Sequence, residues 1–176
     1  MDLLIYDGYN TRVKGHQNAS IKMGEPMKIS FERATIANID LIVDFMRQFY
    51  EFELYPFDDE AASSALERLI SDSALGHVWI VSEGLTPIGY IVLTLGYSLE
   101  YHGNDAFIDE FYIQASHRGK GIGSKALKFV EERAQVLGVK ALHLEVERRN
   151  KAGQGLYLKS GFENNDRYLM TKLLKS

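Results

Sequence analysis

From Lys28 to Ala34 apolar Ile29 and Phe31 alternate with polar neighbours, a period of two that predicts a strand. The period then lengthens, and Ile39, Ile42, Val43, Met46 and Phe49 fall on one side of a helix that Thr35 or Asn38 can cap. A second helix is predicted over 58–70. Asp58, Asp59 and Glu60 sit in its first turn, where carboxylates suit the positive end of a helix dipole, and Ala65, Leu66 and Leu69 form its apolar stripe. Three strands follow, over 77–82, 88–97 and 106–113, joined by turns of hairpin length that make an antiparallel meander. A helix over 121–137 closed by Gly138, a strand over 141–146, a helix over 150–160 closed by Gly161 and a last strand over 168–173 complete the order β-α-α-β-β-β-α-β-α-β. Residues 1–26 lack a sustained period and carry Gly8, Gly15, Gly24 and Pro26, so they read as an N-terminal extension to a domain of residues 27–176.

Composition narrows the chemistry. A chain of 176 residues with 45% hydrophobic and 25% charged residues is sized and balanced for one packed domain. The absence of cysteine excludes a disulfide scaffold, a Cys-ligated metal and a cysteine nucleophile, and it fits a reducing compartment. The net charge of -4 argues against a general nucleic-acid binder. The densest apolar run, 88–95, contains Gly89 and Thr94 and is far shorter than the ~20 residues of a membrane span. Asp2 stands where a secretory signal would carry cations, so the expected location is cytoplasmic, with neither nucleic acid nor membrane as partner. His16, His77, His102, His117 and His143 are dispersed without ligand spacing, and no metal is predicted.

The segment Arg118-Gly119-Lys120-Gly121-Ile122-Gly123-Ser124 joins a predicted strand to an amphipathic helix. Glycines let successive backbone N–H groups turn toward one point, and the helix N-terminus adds partial positive charge there, so the loop is built to hold phosphate. Arg118, Lys120, Lys125 and Lys128 crowd the same end, where each cation opposes the dipole by about 0.3 kcal/mol or more unless an anion binds. A Walker loop is absent. Gly121, Gly123 and Ala126 match the dinucleotide pattern G-x-G-x-x-A, with Glu145 or Glu147 about 20 residues on. That pattern opens a parallel α/β domain, however, whereas here a meander precedes it and only 50 residues follow Ala126.

A longer frame takes in Arg118-x-x-Gly121-x-Gly123 after a strand ending Phe111-Tyr112-Ile113, then Asn150, then Leu156-Tyr157-x-Lys159-x-Gly161-Phe162. In these motifs and their order the chain resembles the GNAT superfamily of N-acetyltransferases over residues 27–176. It departs from the family pattern at Ala115, where a proline is common, and at Gly153, where alanine is usual. The resemblance implies an α/β fold of the α+β type: a mixed, mostly antiparallel sheet of six to seven strands with about four helices, splayed where acetyl-CoA enters. It also implies acetyl transfer to a primary amine by direct attack in a ternary complex, with a possible homodimer.

Residue by residue, the resemblance assigns the backbone of Phe111 and Ile113 to the pantetheine arm. Arg118, Gly119, Lys120, Gly121, Ile122, Gly123 and Ser124 would take the pyrophosphate, and Asn150 the pantetheine, although Asn150 also reads as a plain helix cap. Tyr157 would protonate the leaving thiolate. Glu110 is the first choice of general base and Glu145 the second. Alternation along a strand would turn Asp109 and Glu110 to opposite faces, leaving only one in the cleft. Residues 51–60 hold five carboxylates and no cation among Phe52, Tyr55 and Phe57, which suits a cationic acceptor. Tyr50, Glu53, Tyr55, Tyr97 and Glu145 are the candidate acceptor contacts. The rival readings are a catalytically silent acetyl-CoA-binding module and an NAD(P)-binding protein.

Overall fold

A computed structural model describes residues 28–174; the expected N-terminal extension lies outside the described residues. The elements are β1 (Ile29–Arg33), α1 (Ile39–Glu53), α2 (Asp59–Ser71), β2 (Gly76–Glu83), β3 (Thr86–Ser98), β4 (Gly103–Ile113), α3 (Ile122–Val136), β5 (Ala141–Leu144) and α4 (Lys151–Lys159). Five strands form one sheet in the order β1-β2-β3-β4-β5, antiparallel through β4 and parallel between β4 and β5. The predicted order therefore holds from the first strand through the last helix. Asp58 caps α2 by accepting from the N–H groups of Glu60 and Ala61, both at 3.1 Å. Gly138 (φ 74°) follows α3 in the left-handed conformation that terminates helices without a Cβ penalty.

The last predicted strand, 168–173, does not form. Its alternation is a local property, but a strand exists only when another edge receives its N–H and C=O groups, and none of β1–β5 pairs with it.

Each face of the sheet carries one layer of helices. On one side Ile42, Val43 and Phe45 of α1 and Leu66 of α2 pack on Val78, Ile80, Tyr90, Val92 and Tyr112. On the other, Leu127, Val130 and Ala134 of α3 and Leu156 of α4 pack on Trp79, Ile91, Leu93 and Ile108. Alternation along β2, β3 and β4 feeds both cores, so the central strands are apolar on both sides and read as near-continuous apolar runs.

Two irregularities of the sheet create the working region. β5 pairs with β4 only from Asp105↔Ala141 to Ile108↔Leu144, while β4 runs on to Ile113. Beyond Leu144 the two strands part, and this is the expected splay. In addition, Val92 pairs with Glu110 but Leu93 with Ile108, so Asp109 is an extra residue in β4, a β-bulge.

Candidate acyl-transfer site

The splay opens into a cavity of about 620 Å³. Phe111, Tyr112 and Ile113 of β4 form one wall, the start of α3 the end, and Asn150, Leu156 and Tyr157 the opposite wall. Three glycines shape the α3 end for different reasons. Gly119 (φ 76°) and Gly121 (φ 77°) are left-handed with open space where a Cβ would stand, so backbone conformation requires glycine there. At Gly123 a Cβ would stand 2.8 Å from Leu156 Cδ2, so the third glycine lets α4 approach α3. No side chain caps α3, which leaves its first N–H groups free beside the cavity.

Arg118, Gly119, Gly121, Ile122, Gly123 and Ser124 all line this space, and Lys120 stands exposed beside it. The Ile122 side chain is buried among Val81, Ile88 and Ile113, so only its backbone faces a ligand. Arg118 lies across the cavity. Its Nε donates to the Ile113 carbonyl at 2.8 Å and its guanidinium stands 4.5 Å from the Phe52 ring centroid. Asn150 caps α4 by accepting from Gly153 N–H at 2.8 Å. Tyr157 is half-buried against Phe162; burial first, and the nearby Glu53 carboxylate second, push its phenol up from the ordinary value.

A second cavity, of about 370 Å³, lies between α1, α2 and the bulge. Met46, Phe57, Ala62, Ala65 and Leu69 make it apolar, while Asp58, Asp109 and Glu110 bring carboxylates to it. Both Asp109 and Glu110 therefore face one space, which corrects the expectation that only one could: the bulge adds a residue and breaks the alternation. Tyr50 and Tyr90 each donate a hydroxyl hydrogen bond at 2.8 Å, one to each oxygen of Glu110. Burial raises the Glu110 carboxyl above its usual range even though these two bonds pull it down, and Asp109 adds to the rise. Loss of water also raises Asp109. Tyr50 and Tyr90 are pushed up, first by burial and then by the Glu110 charge.

Not every candidate acceptor contact gathers here. Tyr50 lines the second cavity, but buried Glu53 lines the first, where Arg149 Nη2 donates to its carboxylate at 2.9 Å and to its backbone oxygen at 2.6 Å. The Tyr55 hydroxyl donates to Glu147. Together these bonds tie the end of α1 to the link between β5 and α4. Tyr97 is 71% exposed near the β3–β4 turn, and Glu145, just past β5, is exposed; neither lines either cavity. Sequence reasoning missed Tyr90 and Arg149, and it raised Glu147 only as the acidic residue of the dinucleotide pattern. Tyr90 had a signal: two residues before Val92 in a strand hairpinned to β4, it shares the face of Val92, whose pairing partner is Glu110. Among the described residues no group of three or more His, Cys, Asp or Glu could hold a metal ion, and no helix is long and apolar enough to cross a membrane.

The model of the acetyltransferase (GNAT) family matches residues 40–162, which run from α1 through the loop, Asn150 and Tyr157 to Phe162. The chain belongs to the GNAT acetyltransferase family. A relative, thialysine N-epsilon-acetyltransferase of Bos taurus, is 33% identical over 82 residues, covering 47% of this chain and 48% of the relative. The chain spans about half the length of such curated relatives. An integron cassette protein from the mobile metagenome of Cole Harbour Salt Marsh superposes with a TM-score of 0.75 at 36% identity, over 83% of this chain and 91% of that one. A protein of Clostridium acetobutylicum, described as a predicted acetyltransferase with acetyl-CoA, superposes with a TM-score of 0.70 at 20% identity, over 82% of this GNAT chain and 96% of its own.

Proposed function

We propose that this protein is an acetyl-CoA-dependent N-acetyltransferase acting on a primary, cationic amine. The observation that carries the reading is a pair of cavities lined by consecutive residues of β4: Phe111 to Ile113 line one that opens on an uncapped helix start with left-handed glycines, and Asp109 and Glu110 bring carboxylates to the other. The residues fit the donor. Free N–H groups from Gly121 to Ser124, with Lys120 beside them, suit a pyrophosphate, and the unpaired edge of β4 past the splay suits a pantetheine amide. Acetyl-CoA would supply an activated acyl group.

In this reading the amine enters from the second cavity, and Asp109 and Glu110 draw its ammonium to the bulge. Glu110 takes the proton, so that the neutral nitrogen attacks the thioester carbonyl directly. The C–N bond forms as the C–S bond breaks, Tyr157 gives its proton to the departing sulfur, and the second proton left on the new amide nitrogen is lost to water while the Tyr157 phenolate is reprotonated from solvent. The raised Glu110 carboxyl suits the base, because a pKa nearer the working pH improves proton acceptance. Tyr50 and Tyr90 fix the carboxylate from both sides without occupying all its lone pairs. The thialysine acetyltransferase relative, by its name, acts on an ε-amine, which supports an amine acceptor.

The test is calorimetric binding of acetyl-CoA followed by thiol release against a panel of primary amines. Binding with amine-dependent release is expected. Tight binding without release to any amine would favour the silent module, and stabilisation by NAD but not CoA would overturn the reading. Two variants probe the acceptor side. Glu110→Gln is expected to lower kcat by about a hundredfold near neutral pH. A base must be unprotonated, so wild-type kcat/KM should fall as pH drops through the raised Glu110 carboxyl, and the glutamine variant should lose that limb. An intact acid limb in Glu110→Gln would take the role from this residue. Ala62→Phe fills the second cavity and should raise the amine KM by about tenfold or more while leaving acetyl-CoA binding unchanged. An unchanged KM would move the acceptor elsewhere.

A further inference from the structure

The charge of the second cavity is gathered where the start of α2 meets the bulge. Tyr50 joins the two segments: its hydroxyl donates to Glu110 at 2.8 Å, and its ring centroid stands 5.1 Å from that of Phe57, the neighbour of Asp58. Among the described residues, Asp58, Asp109 and Glu110 are the only charged groups that line the space. After Asp58, α2 presents alanine and leucine alone to the cavity. Ala62, Ala65 and Leu69 come three or four residues apart and so share one face, and the two alanines leave room that larger side chains would close. Met46 of α1 and Val92 of β3 complete an apolar wall.

No lysine, arginine or histidine lines this cavity among the described residues. Arg47 comes near, 5.9 Å from the Phe57 ring centroid, but its guanidinium is held by Asp44 and Asp59. Asp58 is partly engaged as well, since one of its oxygens accepts from two N–H groups at the start of α2. An ammonium at the bulge therefore finds charge that nothing else in the cavity balances.

The same walls are selective against other groups on the amine. A carboxylate, as on a free amino acid, would enter a space lined by carboxylates and no cation. A second ammonium carried past the bulge, as on a long diamine, would lose its water against alanine and leucine with no partner, and sugar hydroxyls would stay unbonded there. A hydrocarbon body alone gains by burial. The volume of about 370 Å³ lies at the small end of ligand pockets, which fits one ring or a short chain.

We infer that the acceptor is a small primary monoamine on a hydrocarbon body, without a carboxylate or a second cation. The inference rests on the acetyl-transfer reading above and adds the class of substrate to it.

Thiol release from acetyl-CoA with matched amines tests it, each pair differing in one group. Hexylamine is expected to exceed ethylamine in kcat/KM by about a hundredfold, the gain from the buried chain. It should exceed 1,6-diaminohexane by about tenfold or more, and 2-phenylethylamine should exceed phenylalanine by about a hundredfold. Direct binding of the same amines to the CoA-loaded protein should follow the same order, which separates the pocket's selectivity from the chemistry. Ala65→Leu shortens the apolar face and should lower the ratio of hexylamine to ethylamine kcat/KM by about tenfold. Release that is greatest with the diamine or the amino acid, or that is equal for ethylamine and hexylamine, would overturn the inference and leave acetyl transfer standing. Acetyl-CoA binding with no release to any of these amines would overturn both. The wild-type pairs decide the matter even if Ala65→Leu folds poorly.

Discussion

Gly121→Glu is expected to lower acetyl-CoA affinity by a hundredfold or more, with the fold kept. Two causes act at one position. Gly121 is left-handed at φ 77°, a conformation that costs a residue with a Cβ about 1 kcal/mol or more, and it is the N-cap of α3, where free N–H groups converge. The glutamate adds a negative charge at the point where the pyrophosphate would sit, and it also offers those N–H groups a competing acceptor. The loss of one or two charge-assisted hydrogen bonds, each worth about 1.5–3 kcal/mol, accounts for the factor. No atom stands within 4 Å of the new Cβ, so the core is not disturbed and the melting temperature should fall only by about 2–4 °C, the cost of the backbone strain. Gly121→Ala separates the causes, carrying the backbone strain without the charge, and should fall between wild type and glutamate. Calorimetry decides: an affinity within threefold of wild type would remove the loop from donor binding.

How much of this was legible in the sequence follows from the range over which each feature is set. The glycine loop is local: strand, turn and helix start lie within some fifteen residues, and both its conformation and its free N–H groups follow from residue types alone. The caps at Asp58 and Asn150 are local in the same way. The bulge is not. Nothing in Ile108-Asp109-Glu110-Phe111 marks an extra residue, because the bulge is a mismatch between β4 and β3, and neither strand alone encodes it. The consequence for function is direct, since the bulge is what turns both carboxylates into one cavity.

Glu53 and Tyr55 illustrate the same limit. An acidic and aromatic stretch reads locally as a binding surface for a cation, but the partners of these two side chains, Arg149 and Glu147, lie more than 90 residues away. Glu53 thus has its cation already, within the protein. The final strand went astray for the related reason that apolar alternation predicts a strand's faces and leaves its edges unspecified.

Tyr157→Phe is expected to cut kcat by about a hundredfold while leaving the acetyl-CoA dissociation constant within twofold. The ring sits half-buried against Phe162 and packs with the α3–α4 core, so phenylalanine keeps the shape and removes only the hydroxyl. Burial and the Glu53 carboxylate raise the phenol, which makes it a weaker acid, and the direction matters for the role. A raised phenol stays protonated further up the pH scale, so acid and base are ready together over the window that opens above the Glu110 carboxyl and closes at the Tyr157 phenol. The cost is an uphill proton transfer to a thiolate whose conjugate acid has an ordinary pKa near 8.5, and a phenol held beside the sulfur by packing can meet that cost only at close range. The variant should therefore be rescued in part by a donor with a better leaving thiol, for which protonation matters less. A kcat lowered equally with every donor would make Tyr157 a positioning residue, and an unchanged kcat would leave the proton to come from solvent through the open mouth of the cavity.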